Sequence, residues 1–441
     1  MIKTDILITN GTILTMDSHK TVIKDGLLGI SGNIIDYIGE NNRDLIMADK
    51  EIDAEGGLIL PGLINSHTHA AMTLFRGLAD DLPLMEWLNS YIFPVEKRMD
   101  SDFVRVGTLL ACAEMIMSGT TTFCDMYLFE EEVAVAAKEA GMRCLAGEVL
   151  YDFPSPNYGS AGNGLKYTYD LINKWKDDPL VNIAVEPHSL FTCNEELLLK
   201  SNEMALKTGS PLILHLAETR EELEEIKSRF GKRPVQHLMD LGLLGPHVIL
   251  DHCVYVNESE IELLAENKVC VVHNPESNMK LASGIAPVPE MIKKGITVGL
   301  GTDGCASNNN LDLLSEMDTA AKLHKVNGLD PTLMDAETVL NMATKSGAKV
   351  VRLEEKTGSL EIGKKADLII IDTKKPHLTP MYNPFSHIVY AANGHDVKHS
   401  IIDGRIVMED RKLTTLNVGN IMEMARKKSH KVTEWIKMEQ D

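Results

Sequence analysis

Two histidines separated by one threonine, His67 and His69, close the apolar run "GLILPGLINSHTH" just after Pro61-Gly62. Residues two apart on a strand face the same side, so both imidazoles can present a nitrogen to one point. Alone, such a pair could equally be two surface loop residues. His215 ends "PLILHLAE" and Asp303 ends "ITVGLGTD". Each has a plain reading by itself, a core histidine and a turn residue before Gly304. Taken together, three imidazoles and one carboxylate form a borderline-hard donor set that suits Zn²⁺ or Fe²⁺. Glu218 follows His215 by three residues, where a carboxylate could shuttle protons or favour the start of the helix-like "ETREELEEIK". His252 ends "VILDHC" and could hydrogen-bond an attacking oxygen or simply a backbone carbonyl. His188 ends "VNIAVEPHS", and His273 lies in "VVHNPESNMKL", whose loop shapes the pocket.

The elements that must position these residues follow a regular alternation. Eight short apolar runs are expected as strands: 57–69, 120–125, 143–150, 181–189, 211–218, 247–253, 269–275 and 296–303. Amphipathic stretches such as "SDFVRVGTLLACAEMIMSG" separate them, the mark of parallel βα units. Eight such units predict an α/β fold, a closed (β/α)8 TIM barrel, with an open sheet of six or seven strands as the alternative. Barrel active sites sit at the C-terminal ends of the strands, which is where the histidines, Glu218 and Asp303 fall. Both chain ends read differently. Asn10-Gly11, Gly32-Asn33 and Asp403-Gly404 each sit between apolar runs and signal hairpins. Residues 1–58 and 356–441 are therefore expected to form one composite β-sandwich module around a hydrolase barrel spanning 59–355. The last stretch, about 417–441, is charged and helix-like.

Bulk properties narrow the function. The chain has 441 residues, 44% hydrophobic and 24% charged, with a formal net charge of −20. That excess repels phosphate backbones and anionic membranes, so no nucleic-acid or membrane partner is expected, and a small neutral or zwitterionic substrate is favoured. The seven cysteines are scattered with no Cys-x-x-Cys pair, which argues against a disulfide framework or zinc finger and for a reducing, cytoplasmic setting. No apolar run approaches the roughly 18 residues of a membrane span, and no signal peptide is evident. Self-association is expected, since barrel enzymes with long surface loops often assemble.

The stretches "PGLINSHTHAAMTLFRG", "LHLAET", "HNPESNMKLASGIAPV" and "GTDGCASNNNLDL" together resemble the amidohydrolase superfamily. Within it they are similar to the 5-methylthioadenosine/S-adenosylhomocysteine deaminases and their 5'-deoxyadenosine and adenosine relatives. The resemblance covers nearly the whole chain. It implies hydrolytic deamination of an adenine nucleoside to the inosine analogue and ammonia by an ion-activated hydroxide. It implies one divalent ion, zinc or else Fe²⁺, on His67, His69, His215 and Asp303, with Asp303 also acting as base. It assigns Glu218 to the proton at N1 of the purine and His252 to the attacking oxygen. From "DDLPLMEWLNSYIFPVEKRM" it assigns Glu96 to the ribose hydroxyls and Trp87 to a pocket-lining loop, and it makes His188 a substrate contact. Related barrels that hold two ions bridge them with a modified lysine on strand four; "VNIAVEPHS" has none, so a single ion is expected.

One feature departs from the resemblance. Relatives that grip the homocysteine carboxylate can use arginines after strand three, because arginine clamps a carboxylate bidentately. Here the first such position is Glu148, and "YDFPSPNYGSAGNG" has no arginine; Lys166 is the available substitute. The competing readings are a guanine or cytosine free-base deaminase, an s-triazine hydrolase on the same scaffold, and a metal-free non-catalytic relative. Glu96 favours a nucleoside, and the filled ligand positions argue against the last. The cytidine-deaminase type of zinc site needs Pro-Cys-x-x-Cys and is excluded.

Overall fold

The computed structural model of the chain describes residues 2–82, 86 and 88–440. Five strands open it: β1 (Ile2–Leu14), β2 (Val22–Ser31), β3 (Ile34–Glu40), β4 (Ile46–Asp53) and β5 (Leu58–Pro61). Next come β6 (Leu63–Thr68), β7 (Thr120–Tyr127), β8 (Arg143–Leu150), β9 (Val181–Ile183) and β10 (Glu186–Pro187). They are followed by β11 (Leu212–Leu216), β12 (Val248–His252), β13 (Cys270–His273) and β14 (Thr297–Leu300). The last four are β15 (Leu368–Ile371), β16 (Val397–Ile402), β17 (Arg405–Glu409) and β18 (Lys412–Leu413).

Strands β6 to β14 are the barrel, with β9 and β10 forming one interrupted stave, so there are eight staves as the alternation predicts. They are rich in Val, Ile, Leu and Thr and are buried almost throughout, as parallel strands covered by helices must be. Two parallel arcs, β6-β7-β8-β9/β10 and β11-β12-β13-β14, carry the ladders. Parallel bridges join the arcs at both seams: Val185 to Leu212 and Ser189 to His215 at one, Thr68 to Asp303 at the other. The seam bonds come partly from the backbones of the chemical residues themselves, His215 N to His188 O at 2.9 Å and Asp303 N to His67 O at 3.0 Å. Gly301 lies where β14 leaves the barrel; a Cβ there would fall 2.8 Å from Cβ of His67, so only glycine lets the exit pass this close.

The remaining strands form one nine-stranded sheet in the order β18-β17-β16-β15-β5-β1-β2-β3, with β4 beside β1. Ile34 bridges Lys365, bringing the β3 edge back to the chain entering β15. A core of Ile8, Ile13, Leu28, Ile35, Ile59, Leu368 and Ile401 fills the space enclosed. Gly32-Asn33 and Asp403-Gly404 turn hairpins as expected. Asn10-Gly11 does not. β1 runs straight through it with register shifts on either side of Gly11, and Asn10 adopts a left-handed φ of 56°. The same conformational freedom that suits a tight turn serves a β-bulge here.

The barrel and this sheet meet at Arg143, which is 1% exposed. Its guanidinium donates to Asp367 at 2.6 and 2.9 Å, to Asp403 at 2.7 Å and to the Pro179 carbonyl at 2.9 Å. The C-terminal helix, Val418–Gln440, packs against the helix Ser101–Met117 of the barrel. No helix among the described residues is long and apolar enough to cross a membrane.

Candidate active site

At the barrel mouth the imidazoles of His67, His69 and His215 crowd together, with ring centroids 4.8 to 5.4 Å apart. Each has its Nδ1 facing an acceptor. His69 Nδ1 donates to the Met126 carbonyl, and His215 Nδ1 donates to the His188 carbonyl at 3.1 Å. His67 Nδ1 lies 3.2 Å from Asp251 Oδ2. Fixing Nδ1 in this way turns Nε2 toward the common centre, the arrangement that metal-ligating histidines favour. Ligand atoms of His67, His69 and Asp303 lie within 4.8 Å of one another, as do those of His67, His215 and His252. His67 belongs to both sets, and its Nε2 is buried without a hydrogen-bond partner among the described residues. An unpartnered imidazole nitrogen in a dry site is costly; a cation beside it removes the cost. The residues present therefore fit a metal ion.

Asp303 is oriented from several sides. Its Oδ2 accepts from Ser277 at 2.6 Å and Ser307 at 3.0 Å, and its Oδ1 accepts from the Gly304 amide at 2.8 Å. Burial works against its charge, but the His67 and His69 imidazoles hold its carboxyl well below the usual range. Burial, reinforced by His188 and His67, pushes His215 well down, so it stays neutral and able to ligate. Burial would lower His69 as well, but Asp303 overrides it and raises that imidazole to about 9.

Glu218 and His252 stand next to this cluster, with His252 Nε2 3.9 Å from Glu218 Oε2. Asn278 Oδ1 lies 2.9 Å from Nδ1 of His252 and sets the ring. Glu218 precedes its helix instead of starting it: Thr219 is the N-cap of Arg220–Phe230. Both oxygens of Glu222 reach back to the Ala217 and Glu218 amides at 2.8 Å, which pins the Glu218 backbone. Ala217, His252, Cys253 and Asp303 all have positive φ, from 49° to 68°. Strained backbone at successive strand ends is characteristic of functional sites.

His188 packs between His215 and Tyr151 with its ring tilted to both, centroids at 4.9 and 5.2 Å, and its Nδ1 meets Thr192 Oγ1 at 2.9 Å. Burial drives it down to about 3, aided by His69 and His67, so it is neutral. Glu96 is buried and accepts from the Tyr127 hydroxyl at 2.8 Å; burial raises its carboxyl. Trp87 lies outside the described residues. His273 turns away from the mouth and meets His324 of the helix Leu313–Gly328, Nε2 to Nε2 at 3.0 Å. Lys166 is 79% exposed and pairs with Asp170 one helical turn away.

The sequence reading missed Asp251, which sits beside His67, and Asp125, which accepts from Thr68 Oγ1 and the Ala70 amide at 2.5 Å each. Asp125 thereby holds the residues on both sides of His69, Thr68 by its hydroxyl and Ala70 by its amide. The available signal was an acid at the end of an apolar strand, in "TTTFCD" and "VILDHC".

A closed parallel barrel with histidines and an aspartate at its mouth, joined to a sheet from both chain ends, defines a class. The chain belongs to the Amidohydrolase family, whose sequence pattern matches residues 58–407. It is 58% identical over 426 residues to a 5-methylthioadenosine/S-adenosylhomocysteine deaminase of Syntrophobacter fumaroxidans, covering 96% of this chain and 97% of that one. It is 47% identical over 424 residues to a 5'-deoxyadenosine deaminase of Methanosarcina acetivorans, covering 96% and 97%. Its fold superposes with a TM-score of 0.97 on an adenosine deaminase from Xanthomonas campestris solved with bound zinc. That protein is 36% identical, with 98% of this chain and 99% of the other covered.

Proposed function

We propose that the protein removes the 6-amino group of adenine nucleosides by hydrolysis, giving the inosine analogue and ammonia, with one zinc ion held by His67, His69, His215 and Asp303. The observation that carries this reading is the Glu218–His252 pair beside three imidazoles whose Nδ1 atoms are already engaged. The relatives' adenine-nucleoside activities support it. Zinc bound there would supply hydroxide at neutral pH by lowering the pKa of a coordinated water towards about 7. Asp303 accepts the proton that the water loses. Glu218 delivers a proton to N1 of the purine, so negative charge does not build up on the ring as C6 is attacked. His252 hydrogen-bonds the entering oxygen at C6; the amine then takes the proton held on Asp303 and leaves as ammonia, while Glu218 recovers a proton from the C6 hydroxyl as it becomes the carbonyl. His188, neutral and packed against Tyr151, lines the substrate face, and Glu96 takes the ribose hydroxyls. Seven free, buried cysteines suit a reducing cytoplasm, where we place the reaction.

The wall after β8 supports an uncharged 5' substituent. Glu148 is buried and accepts from the Glu130 amide and from Asn157. Beyond it Tyr151 and Phe153 stack at 4.5 Å, and residues 148–160 include no arginine. Adenosine, 5'-deoxyadenosine and methylthioadenosine fit this wall better than the homocysteine carboxylate. Ammonia release by the zinc-loaded protein from these three, S-adenosylhomocysteine, free adenine, guanine and cytosine tests the reading. Turnover confined to the adenine nucleosides, lowest with S-adenosylhomocysteine, is expected. Turnover of a free base instead would overturn the substrate assignment.

A further inference from the structure

The C-terminal helix Val418–Gln440 buries Ile421, Ala425, Lys428, Val432 and Ile436. The spacing is that of one helical face, so a lysine, 8% exposed, sits in the middle of an apolar stripe. Burying an ammonium is unfavourable unless it is paired. Lys428 is paired with Asp102 and lies 3.6 Å from Asp100. Asp100 is the N-cap of the helix Ser101–Met117, accepting from the Phe103 amide at 2.7 Å. That cap lies four residues beyond the end of the turn Phe93–Glu96, whose last residue reaches the site through Tyr127. Two turns further along the C-terminal helix, Trp435 packs on Phe103 with ring centroids 5.7 Å apart, and its carbonyl accepts from Arg98 at 3.5 Å. Thus two points on one helix hold residues 98, 100, 102 and 103, the segment on which Glu96 is carried. A leucine or methionine at 428 would complete the apolar stripe at least as well. What the lysine adds is register, because it fixes which part of the helix lies against Asp100.

We infer that Lys428 and Trp435 are positioning residues for the ribose subsite, and that the C-terminal helix sets nucleoside affinity by clamping the Glu96 turn from behind. This rests on the reading of Glu96 as the ribose contact. Neither residue touches the reacting atoms, so the effect belongs in KM and not in kcat.

The test uses the full-length, zinc-loaded protein with adenosine and with 2',3'-dideoxyadenosine, which lacks the hydroxyls that Glu96 would bind. For Lys428→Ala, KM for adenosine is expected to rise about tenfold with kcat little changed, the effect of a small misplacement of a binding group. The dideoxy analogue is expected to keep its KM, Lys428→Arg to recover most of the affinity, and zinc affinity in a chelator competition to stay unchanged. Glu96→Ala run alongside separates the two ideas. If Glu96→Ala discriminates the two nucleosides and Lys428→Ala does not, the clamp is wrong and the ribose contact stands. If Lys428→Ala impairs both nucleosides equally or weakens zinc binding, the clamp is also wrong. If Glu96→Ala fails to discriminate, the ribose contact falls and the inference falls with it.

Discussion

Two buried polar regions of this molecule are built on opposite plans. At the junction of barrel and sheet, Arg143 meets Asp367, Asp403 and the Pro179 carbonyl, and the Asp403 amide adds a bond of 2.8 Å to Asp367. The charges there are paired and hydrogen-bonded to one another. At the barrel mouth, Nε2 of His67, Oδ1 of Asp251 and Oδ2 of Asp125 are buried without hydrogen-bond partners among the described residues. Desolvating such groups without compensation is expensive. The first region is complete in itself. The second is completed by what binds there. Polar burial that closes on itself serves stability; polar burial left open marks the place where chemistry is done.

The largest expected effect tests the open region. Glu218→Gln keeps the shape of the side chain and removes the proton it transfers. Turnover should fall by about 10²–10⁴-fold, while zinc content and thermal midpoint stay at the wild-type values. Unchanged turnover, followed as ammonia release, would remove Glu218 from the reaction.

Next in size is the closed region. Arg143→Ala strands Asp367 in the interior and should cost about 3–5 kcal/mol of unfolding free energy in urea titrations. The folded fraction should keep its zinc affinity and its KM, because nothing at the mouth leans on Arg143. A parallel loss of zinc affinity would break the contrast between the two regions.

These two regions were also unequally legible in the sequence. The eight staves and the ligand candidates at their ends could be read because parallel strands are apolar runs, so a histidine or acid closing one stands out. The partners that orient the ligands were harder. Ser277 and Ser307, which grip Asp303, look like ordinary loop serines, and the Asp251 contact depends on the barrel bringing β12 to face His67 on β6. Arg143 opens a strand, and its partners at 367 and 403 are more than two hundred residues away; local pattern carries no trace of such pairing. Asn10-Gly11 misled because turn and bulge demand the same left-handed backbone.

The smallest effect is one of pH. Burial pushes Glu148 up to about 7 from an ordinary 4.5, against hydrogen bonds from the Glu130 amide and Asn157. A carboxyl with a higher pKa in the folded state binds its proton more tightly there. Its contribution to stability is therefore full below 4.5 and is lost as pH rises through about 7. Glu148→Gln should flatten the fall in unfolding free energy between about pH 5 and about pH 8, by up to about 3 kcal/mol. Equal slopes for the two proteins in urea titrations would show that Glu148 does not carry this dependence.

The open site is most directly tested by titrating metal-stripped protein with zinc while following ammonia release from adenosine. Activity should rise linearly and level off at one zinc per chain, and His67→Ala should abolish both tight binding and the rise. A plateau only at two zinc ions per chain, or full activity of the stripped protein, would contradict the single-ion site.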